Sequence, residues 1–225
     1  MRTTALKISQ LWKLRGGKAV IQRLFSQYTS KIYATRTDNL YLFKQIQTNI
    51  KHFEGYNLSL QEVPESDPTP WDPEITLDNT LIANRFSQGA RRYAAIWDGR
   101  GIDVCWAVSD CIYHDSIDNF TMQLGHKDVY LFDYRGIQKN RPSAFSRFQL
   151  WSQLCRKIID SENIRCDGNA NFYTLVASHN RVSNAFHTRK LQAKLIGHLH
   201  TKVLFGKPAP IINTDTPPIF IQPAN

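Results

Sequence analysis

The stretch Tyr134-Arg135-Gly136 follows a short apolar run at 129–132 and precedes a long segment of helical periodicity, with Lys139 and Arg141 close behind. A turn from strand to helix exposes backbone amides, and the positive end of the helix dipole adds to them, so phosphate oxygens bind there. Arg135, Lys139 and Arg141 contribute further charge. Downstream, Asn180-Arg181-Val182-Ser183 stands between a second apolar run and a short helical stretch that carries His187, a side chain that titrates near neutrality. Asp128, His126 and Asp133 lie on or beside the first apolar run. A carboxylate or imidazole there could take a proton from an attacking amine, directly or through water. For any single one, an ordinary polar loop or strand-end residue is the better reading. His198 and His200 alternate onto one strand face, but without a third ligand a surface strand is the better reading. Cys105, Cys111, Cys155 and Cys166 form no C-x-x-C pair, which points to buried free thiols rather than zinc or disulfides.

These residues need elements to hold them. Residues 92–97 and 102–108 read as a hairpin about Asp98-Gly99-Arg100-Gly101, and 129–132 as a third strand. Residues 143–160 are the clearest helix, with Phe145, Phe148, Trp151, Leu154, Cys155 and Ile158 on one face. A strand at 172–177, a short helix at 182–190 and a last strand region at 194–205 follow, giving an α/β pattern in which helices join neighbouring strands. Upstream, 75–89 reads as a helix, the prolines of 64–73 as a loop, and 39–63 as extended or mixed. Residues 4–33 read as two short helices with a basic outer face. The division is therefore a helical segment at 1–38, a main domain at 39–207 and a proline-rich arm or disordered tail at 208–225.

The Y-R-G sequence after a strand and before a long helix, the Asn180-to-Ser183 N-x-x-S element and the closing strands 194–206 together resemble the GNAT (Gcn5-related N-acetyltransferase) family over 128–206. The resemblance implies a mixed, mostly antiparallel central sheet flanked by helices, here with a helical N-terminal extension. It also implies that the strand at 129–132 splays from that at 172–177, so that the pantetheine arm of acetyl-CoA, or of another acyl-CoA, lies in the gap. By the same resemblance, Tyr130, Leu131 and Phe132 would hold the cofactor from the strand. Arg135, Gly136, Gln138, Lys139, Asn140 and Arg141 would hold it from the loop, and Asn180 and Ser183 from the second motif. His187 stands where the family often has a tyrosine that protonates the departing thiolate, while Asp128 is the candidate base by its place on the first strand rather than by the resemblance. The sequence departs from the family in two places: its loop carries one glycine where the family's carries several, and Gln192-Ala193 replaces the G-F that usually ends the last helix.

A formal charge of +9 and a pI near 9.5 favour an anionic partner such as a phosphorylated cofactor, nucleic acid or a lipid headgroup surface. No apolar run reaches the ~20 residues that span a bilayer, and no secretory signal is evident, so a cytoplasmic protein is expected. The leading expectation is acyl transfer from acyl-CoA, acetyl in the simplest case, to a primary amine on a small molecule or carrier, by direct attack. A protein of the same architecture without turnover is an alternative. Another is a basic protein whose N-terminal helices contact a membrane surface or nucleic acid. No helix-turn-helix, zinc-finger or RNA-binding signature supports nucleic acid. Residues 67–89 and 109–125 would face the acceptor, with Trp71, Asp72, Tyr113, Asp115, Asp118 and Phe120 as candidates by position alone.

Overall fold

The computed structural model describes residues 33–45, 57–139, 141, 146–204, 207–213 and 220–223. The two helices expected over 4–33 lie outside these residues, except that Tyr33 opens the first strand. In chain order the elements begin with β1 (Tyr33–Phe43), β2 (Leu58–Val63), α1 (Asn79–Ser87), β3 (Arg91–Trp97), β4 (Arg100–Ser109), β5 (Ile112–Asp115) and β6 (Phe120–Gln123). They continue with β7 (Asp128–Gly136), α2 (Arg147–Arg165), β8 (Asn171–Ala177), α3 (Arg181–Arg189), β9 (Lys194–Leu204), β10 (Lys207–Asn213) and β11 (Phe220–Pro223).

Eight strands form one sheet in the order β10-β9-β1-β8-β7-β4-β3-β2, and β11-β6-β5 form a second, smaller sheet. Every ladder of the large sheet is antiparallel except that between β7 and β8. β4 sits inside the sheet and is buried without a break from Gly101 to Val108, as a strand covered on both faces requires. Its side chains alternate between two cores. Val104, Trp106 and Val108 join Tyr130, Phe132 and Leu40 on one face, beneath α1 and the β5–β6 hairpin. Cys105 and Ala107 join Val129, Leu131, Phe172 and the α2 stripe of Trp151, Leu154, Cys155 and Ile158 on the other. Helices therefore flank the mixed sheet on both sides. None of the described helices is long and apolar enough to cross a membrane. Cys105, Cys155 and Cys166 are buried and Cys111 half-buried, none of them bridged.

Several elements differ from expectation, each for a local reason. α1 starts at Asn79 rather than 75, because the Asp78 side chain accepts hydrogen bonds from the Thr80 and Leu81 amides and caps it there. β7 runs on to Gly136, through the segment read as a loop. The region 109–125 holds β5 and β6, whose four residues each are too few to display a period. The boundary drawn at 38 falls inside β1. The proline-rich stretch after 207 is no free arm: β10 pairs with β9, and β11 with β6. Pro208 and Pro210 lie in β10, at the edge of the sheet, where a missing N–H costs no inner ladder bond.

Candidate functional site

β7 and β8 pair only from Asp128 to Leu131 on one strand and from Asn171 to Thr174 on the other, after which they separate. The cause lies on the far side of β7. Against β4, Phe132 is opposite Trp106 and Arg135 opposite Val104, so that Asp133 and Tyr134 together face Cys105. This is a bulge, and Asp133 takes the left-handed φ of 48° that it demands. The bend carries the end of β7 away from β8 and opens a cavity of about 520 Å³, within the range of small-molecule sites.

Leu131 to Tyr134 form one wall of this groove, and Thr174 to Ala177 of β8 the other. Arg147, Phe148 and Trp151 enter from the first turns of α2, and Asn180, Val182, Ser183, Phe186 and His187 from α3. Ser146 caps α2 by accepting from the Gln149 amide at 3.2 Å, and Asn180 caps α3 by accepting from the Ser183 amide at 3.1 Å. The N-x-x-S spacing is thus a capping device, and two positive helix ends converge on the groove. Tyr134 packs on Trp151 with ring centroids 4.0 Å apart, and the Arg147 guanidinium lies 5.8 Å over the Tyr134 ring.

His187 is buried, stacks on Tyr41 and has its Nδ1 2.8 Å from the Ser183 carbonyl oxygen. A carbonyl only accepts, so Nδ1 carries the proton and donates, leaving Nε2 as a bare lone pair. Burial holds the imidazole below its ordinary pKa, against the smaller opposing effect of the Ser183 hydrogen bond. Burial and the Ser183 contact therefore favour the neutral ring, with Nε2 as the nitrogen left to accept. Asn184 fixes the helix that carries it. Its Oδ1 accepts from Asn39 Nδ2 and the Tyr41 hydroxyl, both at 2.8 Å, and its Nδ2 donates to Ala177 O at 2.9 Å.

The bulge is locked from the opposite face. Asp133 accepts from Arg85 of α1 at 2.7 Å and from Arg135 at 2.8 Å. Arg85 is almost wholly buried, its guanidinium 5.1 Å from both the Trp106 and Phe132 ring centroids. Asp103, fully buried, accepts from the Tyr134 hydroxyl at 2.5 Å and from Arg141 at 2.9 Å. Burial raises its pKa to about 7, with Arg141 and then Tyr134 pulling it down.

Several expected site residues have other partners. Asp128 lies at the end where β7 and β8 still pair, and accepts from Gly125 N, Asn171 Nδ2 and the Tyr173 hydroxyl. It does not line the groove and fastens the closed end of the splay instead. Tyr130 is buried against Tyr113 and Phe132 on the other face. Leu131, Phe132, Asn180 and Ser183 do line the groove. In the loop, Arg135 serves Asp133 and Arg141 serves Asp103. Gly136 is required for a different reason from the one expected: a Cβ there would meet Asp103 Oδ1 at 2.5 Å and the Arg141 guanidinium at 2.8 Å. The amides of Gln138 and Lys139 bond the Glu74 carboxylate, and Asn140 lies outside the described residues. His126 sits on the surface between Asp110 and Asp167, which raise its pKa. His198 bonds Asn39 and His200 bonds Thr37. Cys105, Arg147, Phe148, Trp151, Thr174 and Phe186 line the groove without having been singled out as binding residues. Phe148 and Trp151 were visible only as members of the helical apolar stripe, and Arg147 and Thr174 gave no signal.

No protein-family model matches the chain, and no curated protein matches it by sequence. Solved structures do match. A protein of unknown function from Staphylococcus epidermidis is 7% identical over 81% of this chain and 65% of its own, with a TM-score of 0.46. A protein from Novosphingobium aromaticivorans assigned to the GNAT acetyltransferases is 11% identical over 75% of this chain and 65% of its own, at 0.38. A GCN5-related N-acetyltransferase from Anabaena variabilis is 10% identical over 90% of this chain and 65% of its own, also at 0.38. The chain thus spans just under two thirds of the length of these structures. Likeness at this level carries no argument, and the chemistry has to be read from the groove itself.

Proposed function

We propose that this protein is an N-acyltransferase that takes its acyl group from the thioester of a pantetheine-bearing cofactor, acetyl-CoA in the simplest case, and passes it to a primary amine. The observation that carries this reading is the splay of β7 from β8. A parallel pair that opens beside a bulge, beneath two helix N-termini, offers an extended amide-containing arm a slot with strand backbone on both sides. Leu131 and Phe132 line the slot from β7, and Asn180 and Ser183 stand where α3 begins.

The reaction then needs three things from the chain. An amide at the bulge, Asp133 or Tyr134, polarises the thioester carbonyl, and the Arg85–Asp133 pair holds that geometry rigid. The amine nitrogen attacks the carbonyl carbon, the C–N bond forms and the C–S bond breaks. The amine's proton passes to His187 Nε2, directly or through water, and the departing sulfur recovers a proton from the resulting imidazolium or from solvent. Two of the residues expected to face the acceptor belong instead to the core beneath α1 and the β5–β6 hairpin. Tyr113 and Phe120 are buried in that core and support it rather than contact a substrate.

Binding is the first thing to test. A ligand that binds only the folded state raises the melting temperature, so millimolar acetyl-CoA should shift the transition upward by several degrees. Thiol release with a panel of primary amines then reports turnover. Absence of any shift at concentrations far above ordinary cofactor affinity would remove the enzyme reading. A shift without thiol release would leave a binding protein of the same architecture.

A further inference from the structure

Arg92, Trp106 and Phe132 stand in register across β3, β4 and β7, so their side chains share the sheet face beneath α1. Arg85, from the last turn of α1, joins them. Its guanidinium carbon lies 5.1 Å from the Trp106 ring centroid, and that of Arg92 lies 5.9 Å from the same centroid. Arg92 is also 4.7 Å from the Trp71 centroid and 5.5 Å from that of Phe86. Arg85, Arg92 and Trp106 are each more than nine-tenths buried. Three nitrogens of this cluster are buried without a hydrogen-bond partner among the described residues: Arg85 Nε, Arg92 Nε and Trp106 Nε1. All three carry an N–H and can only donate.

The charges are matched no better than the donors. Arg85 bonds Asp133, whose carboxylate it shares with Arg135. Arg92 donates to the Pro64 carbonyl at 2.8 Å and forms no ion pair among the described residues. Burial pushes its pKa down, and Asp67 and Glu65 oppose through charge alone, without a hydrogen bond. Ring faces offset part of a buried positive charge. They give the Nε–H groups no lone pair, however, and a buried cation is stable only with a counter-charge beside it. From this we infer that Arg85, Arg92 and Trp106 form a binding site for a small anion, of the size of chloride or a carboxylate group. Trp71 and Phe86, which pack on Arg92, are half-buried, so the cluster lies one layer of side chains from solvent. Phe132 and Asp133 belong both to this cluster and to the lining of the groove. Two sources share the chemistry: a free anion that completes the fold, and the carboxylate of an acceptor whose amine enters the groove, an amino acid in the simplest case. Only the second source rests on the acyl-transfer reading above.

Melting the full chain at constant ionic strength, with chloride, formate or acetate replacing a bulky sulfonate, tests the site. The wild type should gain several degrees, with a saturable dependence on anion concentration, because only the folded state holds the site. Arg92→Met keeps a long side chain among the rings without the charge. It should lose the anion response and, in sulfonate alone, melt no lower than the wild type, since the unpaired cation is gone. Arg92→Lys keeps the charge without the guanidinium donors, and its apparent anion affinity should fall by about tenfold. Thiol release with glycine compared with methylamine then distinguishes the sources. A preference for glycine of about tenfold in kcat/KM, lost in Arg92→Met, assigns the site to the acceptor's carboxylate. Anion-dependent melting without that preference assigns it to a free ion. A wild type that melts alike in all the salts overturns the inference, because water would then satisfy the donors. So does an Arg92→Met variant that keeps the full response, or one that melts several degrees below the wild type in sulfonate. None of these outcomes bears on the groove, which is tested separately by acetyl-CoA.

Discussion

His187 shows how a single hydrogen bond decides which half of a proton transfer a residue can perform. With Nδ1–H spent on the Ser183 carbonyl and the ring buried, the neutral form is favoured and Nε2 can only accept. The sign follows directly. A folded pKa below 6.5 means that the base is competent at neutral pH and is lost as pH falls through that lowered value. The acid limb of kcat/KM should therefore lie below pH 6.5 and vanish in His187→Phe, which keeps an aromatic ring beside Tyr41. In that variant kcat should fall by about 10²-fold or more, with donor affinity within about threefold. A limb centred above 6.5, or unchanged turnover in the variant, would exclude His187 as the base. The sequence made the residue visible through its place after Asn180 and Ser183. It could not show the protonation state, because that depends on burial and on a carbonyl in the preceding turn. Asp128 illustrates the converse: its position at a strand start was legible, but not that Gly125, Asn171 and Tyr173 would claim its oxygens.

The groove is only as well defined as the helix that forms its wall. α2 was legible from its apolar stripe, yet it continues to Arg165, beyond residue 160 where the stripe ends. Glu162 is fully buried and accepts from Arg91 at 2.7 and 2.5 Å, from the Tyr93 hydroxyl at 2.6 Å and from Arg165 at 3.4 Å. Arg165 also reaches Glu62 on β2 at 2.6 Å. An ion cluster, rather than hydrophobic spacing, pins the last turns of the helix to β3 and β2, and periodicity does not register such a device. Removing the acid leaves the half-buried Arg91 and the buried Tyr93 hydroxyl without their carboxylate acceptor. Glu162→Ala should therefore cost about 3 kcal/mol by urea denaturation, the range found for breaking a buried pair. A loss below about 1 kcal/mol would show the cluster to be no stronger than a surface ion pair. The same logic explains why β5 and β6 escaped notice. Their burial alternates, but over four residues each, and their place is set by Tyr113, Phe120 and Met122 packing on the large sheet.

On the scale of the whole molecule, the least legible feature is the insertion of β1 between β8 and β9. The strand order of the second half of the chain could be read from local patterns, since each strand precedes or follows its own helix. A strand from the start of the chain pairing with two strands near its end leaves no local trace. The consequence reaches the groove. Beyond Thr174, β8 has parted from β7, so its groove-lining segment is held on one side only, by β1 through Leu40↔Leu175, Asn39↔Val176 and Asp38↔Ala177. β1 in turn carries β9 along Tyr33–Leu42, and its Arg36 grips Asp118 in the β5–β6 turn with two bonds of 2.7 and 3.0 Å. A chain beginning at Asn39 keeps most of the β8 ladder but loses Arg36, Asp38 and the pairing of Tyr33–Asp38 with Leu204–Leu199, leaving half of β9 as an open edge. Compared with a chain beginning at Tyr33, it should melt several degrees lower, exchange its β9 amides faster and self-associate on sizing columns. Equal melting temperatures and a monodisperse shorter chain would mean that the N-terminal half of β1 is an appendage, and that the wall of the groove draws its rigidity from α2 and α3 alone.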